Sequence, residues 1–266
     1  MTTPPPPAPR SSAAPDPTRH PDDRTTVPSA DFLTVDVYDH PVRRTPAQRR
    51  AAKAALAGPL PGLRASTVNH ADNGTTHLVP RLSGTCLVLA WDSREAAEDA
   101  WAGPLRAALR RPGDFRMDGE VARSRVERDG DDWYGWRPSA EGAEGIGRGE
   151  PLVAVVHGVL RPRHLTTFLK DNLHAASRAA HHPGHRGSVD VFSKVPFEHT
   201  SISLWSSLEQ AQDFAYKPGG HAHGMKRARE LDTHHTGVYL QVRPLASAGG
   251  LGRDAPSYPE LPPTAR

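Results

Sequence analysis

Two stretches of this 266-residue chain repeat the same pattern of residues 114 positions apart. The first copy spans 91–99 and the second spans 205–213, and Trp, Ser, Glu, Ala and Asp recur at matching positions. An apolar run, 85–90 or 200–204, precedes each copy. Solenoid repeats recur every ~20–50 residues, so this distance is too long for one. It is close to the commonest size of a domain, roughly 100–150 residues. The pattern therefore predicts two similar halves.

The first half contains the elements of a small α+β unit. Alternating residues at 32–38 predict a strand. An Ala- and Arg-rich helix over 47–57, a strand near 65–69 and a strand over 84–91 follow it. Asp92, with Glu95 three residues later, predicts the cap of a further helix.

The second half repeats this order. The predicted strands span 152–156, 188–194, 199–205 and 237–243, and the first predicted helix spans 163–180. Ser206 with Glu209 predicts the capping box of another helix. Strand, helix, two strands, helix, strand is the order of a ferredoxin-like domain. The sequence therefore predicts an α+β fold of two fused ferredoxin-like halves.

Composition separates folded from disordered regions. The two ends, 1–30 and 246–266, are rich in Pro, Ser, Thr, Asp and Arg and contain little to bury, which predicts disordered tails. Between them we expect an N-terminal half at 31–141, a Gly-rich linker at 142–150 and a C-terminal half at 151–245. The linker precedes a strand rather than a helix and lacks the spacing of a phosphate-binding loop.

Composition also limits the classes of function. The net charge of +3 arises from 33 basic and 30 acidic residues that are interspersed, which does not favour a nucleic-acid partner. No window approaches the ~18 apolar residues of a membrane helix, and the first residues lack the order of a signal peptide. The single cysteine, Cys86, excludes an internal disulfide. We expect a cytoplasmic protein, a monomer or homodimer, that acts on a small-molecule substrate.

The two halves differ on the strand that precedes each repeated Trp. Residues of a strand alternate between two faces. In the second half the apolar face carries Thr200, Ile202 and Leu204. The mixed face carries His199, Ser201, Ser203 and Trp205. We expect the apolar face to meet the helices and the mixed face to meet a second sheet or a ligand. The equivalent of the mixed face in the first half is more apolar, with Thr85, Leu87 and Leu89. This difference predicts a site in the second half.

His221 has the most informative position among the 15 histidines. It begins a predicted helix over 221–230, in which His221, Gly224, Met225 and Ala228 share one face. The opposite face is charged and includes His223. Gly224 would leave room beside the imidazole for a flat or bulky group. A neutral imidazole on an apolar wall suits an axial haem ligand. A core histidine bonded to a backbone carbonyl is the structural alternative.

Several motifs resemble the spheroidene monooxygenase-like family. In the second half they are Ser-Ile-Ser-Leu-Trp at 201–205, Asp-Phe-Ala-Tyr at 213–216, His221, Arg229-Glu230 and Tyr-Leu-Gln-Val-Arg at 239–243. Looser matches in the first half include Ala90-Trp91 and the segment 133–138. The resemblance covers roughly residues 32–245 and is most specific over 199–229.

The resemblance implies a dimeric α+β-barrel fold, haem b as cofactor and a monooxygenase-like activity in secondary metabolism, with a possible redox partner. His221 matches the family's histidine, which implies the axial ligand of the haem iron, with Met225 on the same face. Arg229 suits a haem propionate because its planar fork pairs with carboxylates. Thr233-His234 stand where the family usually has Trp-Phe. This departure from the family pattern predicts a substrate that is smaller and more polar than a carotenoid.

A polar side chain opposite the iron is needed to handle a proton. His199 and Lys194 are candidates because we expect their strand positions to face inward, and His235 is a more remote one. The structural alternatives are a cross-strand hydrogen bond for His199, a strand-end charge for Lys194 and a loop position for His235. Cys86 could supply a thiolate ligand, but its apolar run favours an inert buried thiol.

Other functions remain open at this point. Related haem proteins of the fold include aldoxime dehydratases, so a haem-dependent dehydratase is one alternative. A cofactor-free monooxygenase or isomerase would need only a pocket and a base such as His199. A haem-binding module would have no activity. A non-haem metal enzyme would use His221 and His223 with His234 or His235.

Overall fold

The structure is a computed structural model. It describes residues 30–39, 41–72, 81–194, 196–217 and 221–251, except the side chain of Lys194. The tails expected at 1–30 and 246–266 fall largely outside these ranges. Among the described residues, no helix is long and apolar enough to cross a membrane.

Strands and helices alternate in the order expected for each half. The first half contains β1 (Phe32–Asp39), α1 (Thr45–Leu56), β2 (Leu63–Ala71), β3 (Gly84–Trp91), α2 (Arg94–Ala102), α3 (Pro104–Leu109) and β4 (Phe115–Val126). The second contains β5 (Leu152–Leu160), a 3-10 turn (Pro162–His164), α4 (Leu165–Ala180), β6 (His185–Lys194), β7 (Glu198–Trp205), α5 (Leu208–Tyr216), α6 (Ala222–Glu230) and β8 (His234–Gly249).

The eight strands close into one antiparallel barrel in the order β1-β3-β2-β6-β7-β5-β8-β4. Two junctions join the halves. β4 and β8 pair from Phe115–Gly249 to Val126–Val238. β2 and β6 pair only at His70–Phe192 and Ala71–Val191 within the described residues. Closure removes the free strand edges that each half would otherwise expose.

Every strand contributes apolar side chains to the interior of the barrel. They include Leu33, Ala71, Val88, Met117, Val155, Val191, Ile202 and Leu240, all buried in one cluster. The expected orientation of β7 is therefore wrong. Its apolar face, with Ile202 and Leu204, fills the interior, and its mixed face packs against the helices, where Trp205 meets Leu208 and Ala211. A closed interior excludes water on every side, so it requires the more apolar face.

Some element ends differ from those expected. β8 continues to Gly249 because residues beyond 245 pair with the start of β4, so the expected C-terminal tail begins later. The caps lie one residue later than the capping-box pattern indicates. Ser93 accepts a hydrogen bond from the N–H of Ala96 (3.1 Å), and Ser207 accepts one from Gln210 (3.2 Å). Both caps have the extended backbone that a capping residue requires.

The Gly-rich segment 142–150 holds the start of α5. The N–H groups of Leu208 and Glu209 donate to the carbonyls of Glu150 and Arg148 (both 2.9 Å). These bonds satisfy two of the free N–H groups at the helix start. The segment therefore fixes the start of α5, and its role as a linker between two halves stays a prediction.

Candidate functional site

In the first half, helices α1–α3 pack closely on the outer face of the sheet. Thr85, Leu87 and Leu89 of β3 point to this layer, and each is at most 1% exposed. Leu87, Leu89 and Trp91 form a cluster with Ala97, Ala100 and Leu105 of the helices. The layer is therefore closed over the outer face of β3.

In the second half, the equivalent positions of β7 are His199, Ser201 and Ser203. Ser201 and Ser203 remain partly exposed, as do Ala154 and Val156 on the neighbouring strand β5. These strands lie inside the sheet, between β6 and β8, under the helices. Their residual exposure shows that the helices do not fill the space above them. We call the space over these four small or medium side chains the hollow.

The helices over the hollow also leave their inner faces partly exposed. Phe168 and Asn172 of α4 are half-buried, and α6 has no fully buried residue. A helix of an ordinary packed layer buries an apolar stripe against its sheet. Here that stripe is incomplete on both α4 and α6, and the missing contacts lie on the side of the hollow.

His221 lies at the Trp205 end of the hollow, immediately before α6. Its backbone N–H donates to the carbonyl of Phe214 (2.8 Å), and its imidazole stacks on the Phe214 ring with 6.1 Å between centroids and 5° between planes. Phe214 in turn packs on Trp205 at 5.0 Å. The buried Nδ1 of His221 has no hydrogen-bond partner among the described residues.

Gly224 has a different role from the one expected. A Cβ at this position would lie 3.4 Å from both Cε1 and Nδ1 of His221. The space beside Gly224 is therefore filled by the imidazole itself. The glycine lets the ring rest against the backbone of its own helix.

Burial keeps His221 neutral. Loss of solvation lowers the pKa of His221, and the nearby carboxylate of Asp171 opposes this effect. Asp171 on α4 also forms an ion pair with Arg227 on α6 (3.3 Å), which ties the two helices together. A neutral imidazole is the form that ligates a metal.

Three aromatic rings meet at the opposite end of the hollow. The ring of Phe168 lies 4.6 Å from His199 and contacts His234 edge-on at 5.5 Å, and the two imidazoles are 6.0 Å apart. Burial is the main cause that lowers the pKa of His199 to about 3, and it also lowers the pKa of His234. Both imidazoles are therefore neutral at pH 7.

The remaining candidates are scattered. His235 is exposed, and its carbonyl accepts a hydrogen bond from Arg128. Arg229 is exposed and Met225 is half-buried on α6. The side chain of Lys194 lies outside the described residues. Burial raises the pKa of Cys86. Cys86 belongs to β3 of the first half and points into the barrel, so it does not suit a ligand role in the second half.

The histidine-metal alternative has no geometric support. In the ranges that the structure describes, no three His, Cys, Asp or Glu side chains lie close enough together to hold a metal ion. His221 and His234 are at different ends of the hollow, and His223 is exposed on the outer face of α6.

Sequence reasoning missed a polar cluster inside the barrel. His157 accepts or donates a hydrogen bond at Nδ1 with Thr200 (3.0 Å), and its Nε2 lies 3.9 Å from the Glu198 carboxylate. Trp133 stacks on the imidazole at 5.1 Å. A signal was present, because His157 follows Val153 and Val155 on the interior face of β5.

Comparisons with known proteins identify the fold. No protein-family model matches the sequence, and no curated protein matches it. An aldoxime dehydratase crystal structure is similar with a TM-score of 0.52 and 13% identity over 80% of each chain. An aldoxime dehydratase in complex with butyraldoxime gives 0.50 and 11% over 80% of this chain and 78% of that one.

A haem-degrading enzyme from Listeria monocytogenes is a more distant match, with a TM-score of 0.28 and 12% identity over 79% of this chain and 98% of that one. At identities this low, the two aldoxime dehydratase comparisons show a shared fold and nothing finer. The resemblance to the spheroidene monooxygenase-like family therefore stays a prediction.

Proposed function

We propose that this chain is a haem b-dependent enzyme that holds its cofactor in the hollow of the second half, with His221 as the axial ligand. The observation that carries the proposal is the contrast between the halves. At equivalent positions the first half fills its helix–sheet layer with Leu87 and Leu89, and the second half leaves a gap over Ser201 and Ser203.

The residues around the hollow fit a flat apolar group with one metal bond. Small side chains form the sheet side, which is what a planar macrocycle needs to lie close to a sheet. His221 supplies a neutral imidazole whose buried Nδ1 has no partner in the described part of the chain. Its other ring nitrogen, Nε2, is the one that would bind the iron, because Nδ1 lies against Gly224.

His221 would bind the iron and Phe214 would fix the plane of its ring. Met225 on the same helix would contact the macrocycle, and Arg229 would pair with a propionate. When bound, the haem supplies an iron centre that activates oxygen or a nitrogen–oxygen group of a substrate. Asp171 would raise the basicity of His221 through its charge.

His199 and His234 would face the substrate from the other end of the hollow. Because His199 has a pKa of about 3, it is a weak base, and its role is to donate or accept a hydrogen bond while neutral. His234 is more accessible and takes the place that we assigned to His235 as a proton carrier. Phe168 covers both rings and keeps water away from them. Lys194 stays a candidate.

The substrate that best suits this environment is a small or medium organic molecule with a polar group. Ser201 and Ser203 present hydroxyls to the hollow, and Ala154 and Val156 present apolar surface. The fold shared with aldoxime dehydratase supports dehydration of an aldoxime to a nitrile as a reaction to compare with oxygenation. Both reactions need a ligand-accessible iron, so the same site serves either one.

Haem reconstitution of the full chain and of the His221→Ala variant tests the axial role. We expect His221→Ala to lose the Soret band of the His-ligated protein. His223→Ala is the matched control, since His223 lies two residues away on the same segment and is exposed. An unchanged spectrum for His221→Ala would refute the assignment.

Turnover then separates the reactions. The reduced holoprotein is incubated with butyraldoxime without oxygen, and nitrile formation is measured. A parallel assay follows oxygen consumption with a reductant and a small aromatic substrate. Nitrile alone supports dehydration, oxygen-dependent product supports oxygenation, and neither activity in a haem-loaded protein favours a haem-binding module.

A further inference from the structure

The junction between β2 and β6 opens into a cleft that the haem site does not use. In the part of the chain that the structure describes, only two residue pairs, His70–Phe192 and Ala71–Val191, join these strands. A cleft of about 340 Å³ lies there, bordered by α1, by residues 66–69 of β2 and by Ser193 of β6. It lies at the junction of the two halves, whereas the hollow lies under α4 and α6.

Tyr134 forms the floor of this cleft through a turn that is anchored inside the barrel. Trp133 and Trp136 exchange backbone hydrogen bonds of 2.8 and 3.1 Å, and the ring of Trp133 is buried against His157. Tyr134 between them has a φ of 55°, in the left-handed region that costs a non-glycine residue about 1–2 kcal/mol. This conformation places its ring at the mouth of the barrel.

The Tyr134 hydroxyl lies among side chains of three strands, Glu198 of β7, Ser193 of β6 and Asn69 of β2. Burial, followed by the interaction with Glu198, raises the pKa of Tyr134, so the phenol stays protonated. The floor is therefore uncharged, and the Glu198 side chain beside it is buried.

The charge bordering the cleft is positive. Lys53 is the charged residue of the lining. It is exposed and forms no ion pair within the described residues. α1 also carries Arg49 and Arg50 and contains no Asp or Glu. Arg49 bonds to neutral groups, the carbonyl of Gly84 (2.6 Å) among them, so no carboxylate offsets its charge there.

Part of the lining is apolar. Leu56 and Ala57 at the end of α1 and Val68 of β2 supply this part. A site with one lysine, several hydroxyl and amide groups and an apolar wall matches a ligand with an anionic head and a short hydrocarbon body.

We propose that this cleft binds a small organic carboxylate, with its head group at Lys53 and its hydrocarbon part between Leu56 and Val68 over the Tyr134 ring. The site is separate from the haem site and does not depend on haem being bound. It would let the chain sense or hold a carboxylic acid at the junction of its two halves.

Ligand-observed NMR titrations of the full-length apoprotein with benzoate and with the isosteric neutral benzamide test the proposal. We expect benzoate to bind about tenfold more tightly than benzamide, a difference of ~1.4 kcal/mol. Lys53→Gln should remove that preference. Lys53→Arg should keep it, because the charge remains. Lys53 is exposed, so these variants are expected to fold.

Lys226→Gln is the matched control, since Lys226 is an exposed lysine on α6, away from the cleft, 72% exposed at its side chain. It should bind benzoate as the unchanged protein does. A series from acetate to hexanoate tests the apolar wall, with affinity rising up to about three- to fourfold per methylene.

Equal binding of benzoate and benzamide, or benzoate binding that Lys53→Gln does not weaken, would overturn the proposal. Absence of binding by benzoate and hexanoate would do the same. Binding of inorganic phosphate with no binding of benzoate would show an anion site and contradict the carboxylate assignment. Failure of haem reconstitution would leave each of these results unaffected.

Discussion

Two buried side chains show that burial is the largest influence on their protonation. His199 and Asp36 are each at most 3% exposed. Burial disfavours the charged form of each, so it lowers the pKa of His199 to about 3 and raises the pKa of Asp36 to about 7. The nearest cation to Asp36, Arg116, lies 3.9 Å away and offsets only part of the cost.

Asp36 is expected to make the folded state less stable as pH rises. The unfolded carboxyl has a pKa near 3.8 and the folded one near 7, so the folded state holds its proton more tightly. The stabilisation is complete below about pH 3.8 and decreases up to pH 7. Urea unfolding of Asp36→Asn should show its stability relative to the unchanged protein increasing by about 2 kcal/mol between pH 5.5 and 8.

Comparing the two proteins at each pH cancels the contributions of the buried histidines, which have the opposite sign. Asp39→Asn removes a carboxylate at an exposed position of the same strand and is the matched control. A stability difference for Asp36→Asn that is constant with pH would contradict the burial argument.

At the scale of elements, β3 and β7 occupy equivalent places in the two halves and end in equivalent Trp residues. The outer face of β3 carries two leucines where β7 carries Ser201 and Ser203. Burying a leucine contributes about 1.5–3 kcal/mol, so the second half gives up packing energy at these positions. A cavity that a ligand fills is a physical reason for such a loss.

Replacing both serines by leucine should convert the second layer into a copy of the first. The Ser201→Leu/Ser203→Leu protein is expected to fold with equal or higher thermal stability and to lose haem binding, because the hollow is filled. Ser201→Ala/Ser203→Ala keeps the space and should still bind haem. The Soret absorbance and the melting temperature of both variants give the result. Full haem binding by the leucine variant would mean that the cofactor lies elsewhere.

Local sequence patterns predicted the bounds of β3 well, but they predicted less well which other strands form and which face each strand buries. The bounds of β3 were predicted to the residue, because its apolar run is bordered by Gly84 and by a cap. β4 was not assigned, although Phe115, Met117 and Val121 alternate along it. The two faces of β7 were predicted the wrong way round. Alternation separates the two faces of a strand, but it does not say which face a barrel will enclose.

At the scale of the whole molecule, the barrel is closed by two junctions of very different length. β4 and β8 pair along most of their length, and β2 and β6 pair at two positions within the described residues. The Tyr134 hydroxyl interacts with Asn69 and Ser193 across the short junction. Because the short junction has far fewer strand pairs than the long one, the barrel should open first at this side.

Removing the Tyr134 hydroxyl should weaken the short junction selectively. In Tyr134→Phe, native-state hydrogen exchange is expected to accelerate for the amides of β2 and β6 and to stay unchanged for β4 and β8. The loss of a hydrogen bond to a charged group is worth about 1.5–3 kcal/mol, roughly ten- to hundredfold in local exchange. Equal acceleration on both junctions would argue against Tyr134 as the closing contact.

Long-range order was beyond what sequence patterns reveal. The contact of His157 with Glu198 joins residues 41 positions apart, and Tyr134 reaches strands of both halves. No local period encodes such pairings, which depend on the order in which eight strands close. By contrast, spacing predicted a helix over 221–230, and the structure has one at Ala222–Glu230 with His221 half-buried just before it.

The most direct test of the account is the haem content of the full chain purified from haem-supplemented cells, measured by its Soret absorbance and a pyridine haemochrome assay. The account predicts about one haem b per chain, held in the hollow by His221. Absence of haem, both after purification and after reconstitution, would contradict it and would leave the hollow as a site for a substrate without a cofactor.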